Sequence, residues 1–161
     1  MKKLGLILGL LVLFSVHVFS QNLVEVDGVY MTSPDMKPYS GKYTSYFASG
    51  NVKMEMNLEQ GLKNGEARVY FENGQLNEIR HYKNNLMDGE WVTYNEKNIK
   101  VGIANYKDGQ KHGDWKIWDA DGRLLYELHY TMGEKTGMWR KYGPKGEVIS
   151  EREYPEPDRK K

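Results

Sequence analysis

Apolar and aromatic side chains in this chain come in short runs, separated by clusters of glycine, asparagine and aspartate, and the runs return on a fixed period. In Glu90-Trp91-Val92-Thr93-Tyr94 and Asp114-Trp115-Lys116-Ile117-Trp118, rings and β-branched residues mix with polar ones. That composition suits a half-exposed strand. The runs are phased by Gly41, Gly65, Gly89, Gly113 and Gly137, each 24 residues after the last, and a period of this size signals a repeat architecture. With that glycine as position 0, position 2 holds Tyr43, Ala67, Trp91, Trp115 and Trp139, and position 5 holds Tyr46, Tyr70, Tyr94, Trp118 and Tyr142. Position 17 reads Leu58, Tyr82, Tyr106, Tyr130 and Tyr154, and position 9 reads Gly50, Gly74, Asn98, Gly122 and Gly146. Position 20 reads Gly61, Asn85, Gly109 and Gly133.

Each copy predicts a hairpin. A strand over positions 1 to 6 is followed by a turn at Asn73-Gly74, Asp121-Gly122 or Lys145-Gly146, where a tight connection needs positive φ. Strand character resumes over positions 11 to 17, and Asp108-Gly109 and Met132-Gly133 then begin the next reversal. The expected fold is all-β, an elongated β-meander of about five 24-residue hairpin repeats in which each unit touches chiefly its neighbours. Ten strands at about 4.8 Å would span roughly 45 Å. Positions 2 and 5 are an odd number apart, so alternation sends their rings to opposite faces unless a bulge intervenes. One packed face and one partly exposed aromatic face are expected.

Residues 21–40 read as an N-terminal cap: Val29, Tyr30 and Met31 fall where a preceding strand would lie, and Pro34 and Pro38 break regular structure. The repeat array occupies residues 41–154. Glu151, Arg152 and Glu153 charge its last strand against edge pairing, Pro155 stops it, and residues 155–161 are expected to be a disordered tail.

Residues 1–20 read as a signal peptide, with basic Lys2 and Lys3, the apolar stretch Leu4 to Phe14, and a cut after Ser20. The stretch is short for a membrane span. The expected location is therefore exported, periplasmic or extracellular. Losing Lys2 and Lys3 takes the formal charge from +1 to −1, with both signs interspersed. Nucleic acid, which calls for a basic excess or stripe, is not an expected partner. The absence of cysteine leaves no disulfide framework and no lipid-modified cysteine.

Catalytic chemistry needs convergent polar groups. His81 and His129 share position 16 two copies apart, so four strand spacings, roughly 19 Å, keep them from sharing a metal. His112 stands where the other copies carry Ser40, Asn64, Asp88 and Thr136, and reads as a turn residue. Glu55, Glu127 and Glu151 share position 14. Glu127 and Glu151 would lie about 9.6 Å apart, which overlaps the carboxylate separation of inverting glycosidases. A repeat-encoded glutamate is the better reading, because nothing makes the two environments differ. No phosphate loop, zinc spacing or nucleophile elbow occurs. No enzyme activity, cofactor or metal is expected.

The unit Gly89-Glu90-Trp91-Val92-Thr93-Tyr94 with Tyr106-Lys107-Asp108-Gly109 resembles the MORN repeat, and more closely the bacterial variant in proteins labelled YwqK-type antitoxins. The resemblance covers residues 41–154 and the lead-in Pro38-Tyr39-Ser40-Gly41. Two departures stand out: Ala67 replaces the position 2 ring, and Asn98-Ile99-Lys100 replaces a Gly-x-apolar turn. The sequence reading is a non-enzymatic exported protein that presents an extended surface to another protein or an envelope component. The resemblance implies two alternatives, an antitoxin-like partner of a toxin or a membrane-surface, lipid-binding protein. Export sits poorly with a cytosolic toxin, and a charge near −1 sits poorly with anionic lipid. Sugar binding ranks behind these. Tyr94, Trp118 and Tyr142 would line up through adjacent copies into an aromatic patch, the candidate interaction surface.

Overall fold

The structure, a computed structural model, describes residues 23–157 of the 161. The expected signal segment, residues 1–20, and the end of the chain from residue 158 lie outside the described residues.

Three short strands, β1 (Leu23–Val26), β2 (Val29–Thr32) and β3 (Lys37–Pro38), form a small antiparallel sheet of their own. The repeats follow as β4 (Gly41–Tyr46), β5 (Val52–Glu59), β6 (Leu62–Tyr70), β7 (Leu76–Lys83), β8 (Leu86–Met87), β9 (Gly89–Tyr94) and β10 (Lys100–Lys107). They continue with β11 (Gln110–Lys111), β12 (Gly113–Trp118), β13 (Leu124–Thr131), β14 (Glu134–Tyr142) and β15 (Val148–Tyr154). The sheet runs β4-β5-β6-β7-β9-β10-β12-β13-β14-β15 in chain order, with β8 and β11 paired to β7 and β10. Every pairing is antiparallel. The described chain is an all-β hairpin meander, as the repeats predict.

Local chemistry explains why each copy folds alike. In every copy the N–H at position 6 donates to the carbonyl at position 10, from Phe47 to Asn51 through Gly143 to Glu147, at 2.8–2.9 Å. Position 9 closes the same turn with positive φ. Asn98 does so as well, at φ 57, because asparagine tolerates the left-handed region. The departure at Asn98 therefore leaves the turn intact.

A bulge sits just beyond it. Position 5 pairs with position 11 and position 4 with position 13 in all five copies, from Tyr46↔Val52 and Ser45↔Met54 to Tyr142↔Val148 and Lys141↔Ser150. Position 12 is left over on the returning strand, which flips that strand's parity. Position 5 keeps its place relative to position 2, so those two columns do leave on opposite faces. Position 17 comes round to the position 2 side, lying opposite the position 0 glycine, as in Gly113↔Tyr130 and Gly137↔Tyr154. Those glycines have positive φ, 82° and 60°, which accounts for the invariance of the column that phases the repeat.

Copies are tied by recurring bonds. The N–H groups of Gly61, Asn85, Gly109 and Gly133 donate to carbonyls of Tyr39, Lys63, Met87 and Lys111 at 2.7–2.9 Å. The cap is more regular than its prolines suggest. Pro34 falls in the β2–β3 turn, and Pro38 lies in β3, which pairs with β2 alone and so has a free edge. Tyr30 of β2 donates its N–H to the Gly61 carbonyl at 2.8 Å and drops its ring among Met56, Leu58 and Ala67. Leu58 and Ala67 are the copies that lack rings at positions 17 and 2. Tyr30 fills the space they leave, and its ring meets Tyr43 at 5.3 Å. The most deeply buried apolar cluster of the described chain is there.

Candidate interaction face

Beyond the cap, positions 2 and 17 interleave into one unbroken ladder: Tyr82, Trp91, Tyr106, Trp115, Tyr130, Trp139 and Tyr154, with successive centroids 4.9–5.5 Å apart. The interplanar angles, 54–64°, are tilted to edge-on, the arrangement that ring quadrupoles favour. Tryptophan at position 2 has a second reason. The indole N–H of Trp91, Trp115 and Trp139 donates to the carbonyl of His81, Asn105 and His129 at 3.1, 2.9 and 2.9 Å. Neither Phe nor Tyr could make that bond in the same place.

Among the described residues no second layer covers this ladder, so the face expected to be packed is itself open. Only Tyr130, at 8% exposure, is buried; the other six rings are half-buried. What lies over them is cationic. The Lys111 Nζ is 4.7 Å from the centroid of Trp115 and 4.9 Å from Tyr130, and the Lys135 Nζ is 4.6 Å from Trp139 and 5.5 Å from Tyr154. Arg80 lies 5.2 Å from Trp91, Arg152 4.9 Å from Tyr154, and Lys63 5.7 Å from Tyr82. Lys63, Lys111 and Lys135 share position 22. Arg80 pairs with Glu78 at 2.6 Å, whereas Lys63, Lys111, Lys135 and Arg152 form no ion pair among the described residues. At the C-terminal end, Tyr126, Leu128, Trp139, Lys141, Arg152 and Tyr154 border an open concavity of ≈ 250 Å³. Sequence reading missed this cation column, although Lys63-Asn64-Gly65, Lys111-His112-Gly113 and Lys135-Thr136-Gly137 display it.

The other face is different in kind. Several of its charges pair with one another. Glu55 accepts from the Tyr70 hydroxyl at 3.0 Å and pairs with Lys42 at 2.7 Å; three copies later Glu127 accepts from Tyr142 at 2.5 Å and pairs with Lys116 at 3.1 Å. The Lys42 bond and then the Tyr70 bond hold the Glu55 carboxyl below the usual range. For Glu127 the Tyr142 hydroxyl does most of this, followed by Lys116. Arg140 lies 3.7 Å from Glu151. Acid–base catalysis by Glu127 and Glu151 needs one carboxyl kept protonated, and Glu127 is held the opposite way.

A carboxyl whose folded pKa lies below its unfolded value contributes stability above the unfolded pKa and loses it as pH falls through the folded one. Tyr142→Phe is therefore expected to flatten the acid limb of the stability–pH curve, with most of the change below the ordinary glutamate range. Thermal melts of both proteins from neutral to acid pH check this, and parallel curves would refute it.

Of the residues singled out as a candidate surface, Tyr142 is engaged with Glu127, and Tyr94 and Trp118 are half-buried at strand ends beside their turns. Among the described residues the ring contacts run through the ladder and bring none of these three together. His81 and His112 serve the backbone, and His129 pairs with a carboxylate. His112 Nδ1 accepts from the Met132 N–H at 3.4 Å, as Ser40 accepts from Gln60 at 2.8 Å and Asp88 from Asp108 at 3.1 Å. His81 donates from Nδ1 to the Glu90 carbonyl at 2.6 Å, and His129 lies 2.7 Å from Asp114. Among the described residues no group of three or more His, Asp or Glu could hold a metal ion.

Fold and ladder together define an open, single-layer β-repeat protein whose units bond to their neighbours. Residues 39–60, 63–84 and 111–131 match the MORN repeat variant, so the chain carries MORN repeats. The three matches begin in the same phase, at position 22. The shared bulge and turn extend the unit to the copies between and after them. No curated protein matches the chain.

Proposed function

We propose that this protein is a non-enzymatic interaction module that binds its partner through the ladder face. The observation that carries the reading is the asymmetry of the sheet. One face pairs many of its charges internally, while the other holds an open row of rings overlain by cations, of which Lys63, Lys111, Lys135 and Arg152 have no acidic partner among the described residues. Tyrosine, tryptophan and arginine are the residues that anchor interfaces. Export rests on residues 1–20 and makes another exported protein or an envelope component the natural partner. A toxin, the partner that a YwqK-type antitoxin would need, fits only if it reaches the same compartment.

An anionic lipid surface is the second reading, because the ladder face carries unpaired cations although the formal charge without residues 1–20 is −1. Capture of a partner from the envelope fraction tests the assignment. Lys135→Gln with Arg152→Gln is expected to abolish capture, and substitution of Tyr94, Trp118 or Tyr142 to leave it intact. Capture that depends on those three rings and ignores Lys135 and Arg152 would move the site to the opposite face. Loss of function on replacing His81, His129 or Glu127 in a still-folded protein would point to an enzyme.

A further inference from the structure

The repeat sets a length scale on the ladder face. Equivalent positions in adjacent copies are two strands apart, about 9.6 Å. Lys63, Lys111 and Lys135 share position 22, so they fall at roughly 0, 19 and 29 Å along the ladder. Met87 interrupts that column; Arg80 lies over Trp91 there but is already paired with Glu78 at 2.6 Å, so the free cations of the column are the three lysines. A polyproline II helix has three residues per turn and a rise of about 3.1 Å, so every third residue returns to the same side after roughly 9.3 Å. An extended β-strand returns after about 6.8 Å and slips out of phase within one repeat.

We propose that the ladder face binds an anionic peptide in the polyproline II conformation, with a carboxylate at every third residue. The inference rests on the reading of the ladder as the binding face. The carboxylates engage Lys63, Lys111 and Lys135, while the prolines between them pack on the rings, as proline-rich segments do in aromatic-lined grooves. The ladder from Tyr82 to Tyr154 spans three repeats, about 29 Å, or about nine residues of such a helix.

One observation selects a single chain over a flat anionic surface. The cap sheet is stacked on this same face at Met56, Leu58 and Ala67, so a bilayer laid on the ladder would meet β1–β3 first. A peptide can begin where the cap ends. Lys111, Lys135 and Arg152 lie over the rings of this face. An anionic peptide needs those cations where they are.

The full chain is titrated with (Pro-Pro-Glu)5, with a peptide of the same composition whose glutamates are contiguous, and with vesicles rich in phosphatidylglycerol. Fluorescence of the ladder tryptophans reports binding. The periodic peptide is expected to bind about tenfold more tightly than the blocked one, and more weakly as salt rises. Lys111→Gln with Lys135→Gln is expected to weaken it about tenfold, at roughly threefold per cation, with the fold retained by far-UV circular dichroism. Lys145→Gln, in an exposed turn, should leave binding unaltered. Equal binding of the two peptides, indifference to Lys111 and Lys135, or binding to vesicles without binding to peptide overturns the proposal. If no peptide binds yet partner capture still requires Lys135 and Arg152, the face assignment stands and only the peptide class falls. If capture ignores them, both fall.

Discussion

Replacing Trp115 by alanine is expected to lower stability by about 3 kcal/mol, toward the lower end of the range for deleting a large aromatic, because the ring is half-buried. It stands in the middle of the ladder, between Tyr106 at 5.2 Å and Tyr130 at 5.3 Å, and its indole N–H holds the Asn105 carbonyl at 2.9 Å. Deletion removes two ring contacts worth about 0.5–1.5 kcal/mol each beyond burial, and leaves Lys111 over a gap. Because repeat arrays are stabilised by nearest-neighbour terms, the loss is expected to split the array at that copy, with a broadened transition. Urea melts followed by far-UV circular dichroism measure both. Trp115→Phe should keep much of the ring packing and lose the carbonyl bond, so it separates the two contributions. A loss below about 1 kcal/mol for alanine would mean that the ring carries no more than an ordinary surface residue.

The second large effect lies under the cap. Tyr30→Ala is expected to cost about 3 kcal/mol, since the ring is 8% exposed and packs against Met56, Leu58 and Ala67. By repeat logic Ala67→Trp restores the missing ring and should stabilise. The structure predicts the reverse: Ala67 is 1% exposed with Tyr30 in the space a tryptophan would take, and overpacking costs roughly 1–3 kcal/mol. The two changes should offset one another, so the double variant is expected to be more stable than the sum of the single losses implies. Strict additivity in a double-mutant cycle would show that Tyr30 does not occupy the vacated ring position.

The period of the glycines was enough to read the hairpins, their turns and the antiparallel order, because each rests on chemistry within a few residues. The position 0 glycine adopts positive φ, the position 9 residue closes a tight turn, and alternation separates the rings at positions 2 and 5. The bulge at position 12 was not legible, since Lys53, Asn77, Val101, Leu125 and Ile149 have nothing in common as side chains. Its effect is large, for it turns position 17 onto the side of position 2 and merges two columns into one ladder. That is why Tyr94, Trp118 and Tyr142 looked like the continuous surface while the continuity belongs to Tyr82 through Tyr154.

What the chain by itself determined was therefore everything that repeats: the period, the number of hairpins, the turn chemistry and the polar character of His112 and its equivalents, each encoded in local backbone preference. Tertiary structure alone decided the rest. It set Tyr30 into the space beside Leu58 and Ala67, tied each copy to the carbonyls of the one before, and laid Lys63, Lys111 and Lys135 over aromatic rings. Those contacts join different strands, and the faces they share depend on a one-residue bulge that no side-chain pattern records.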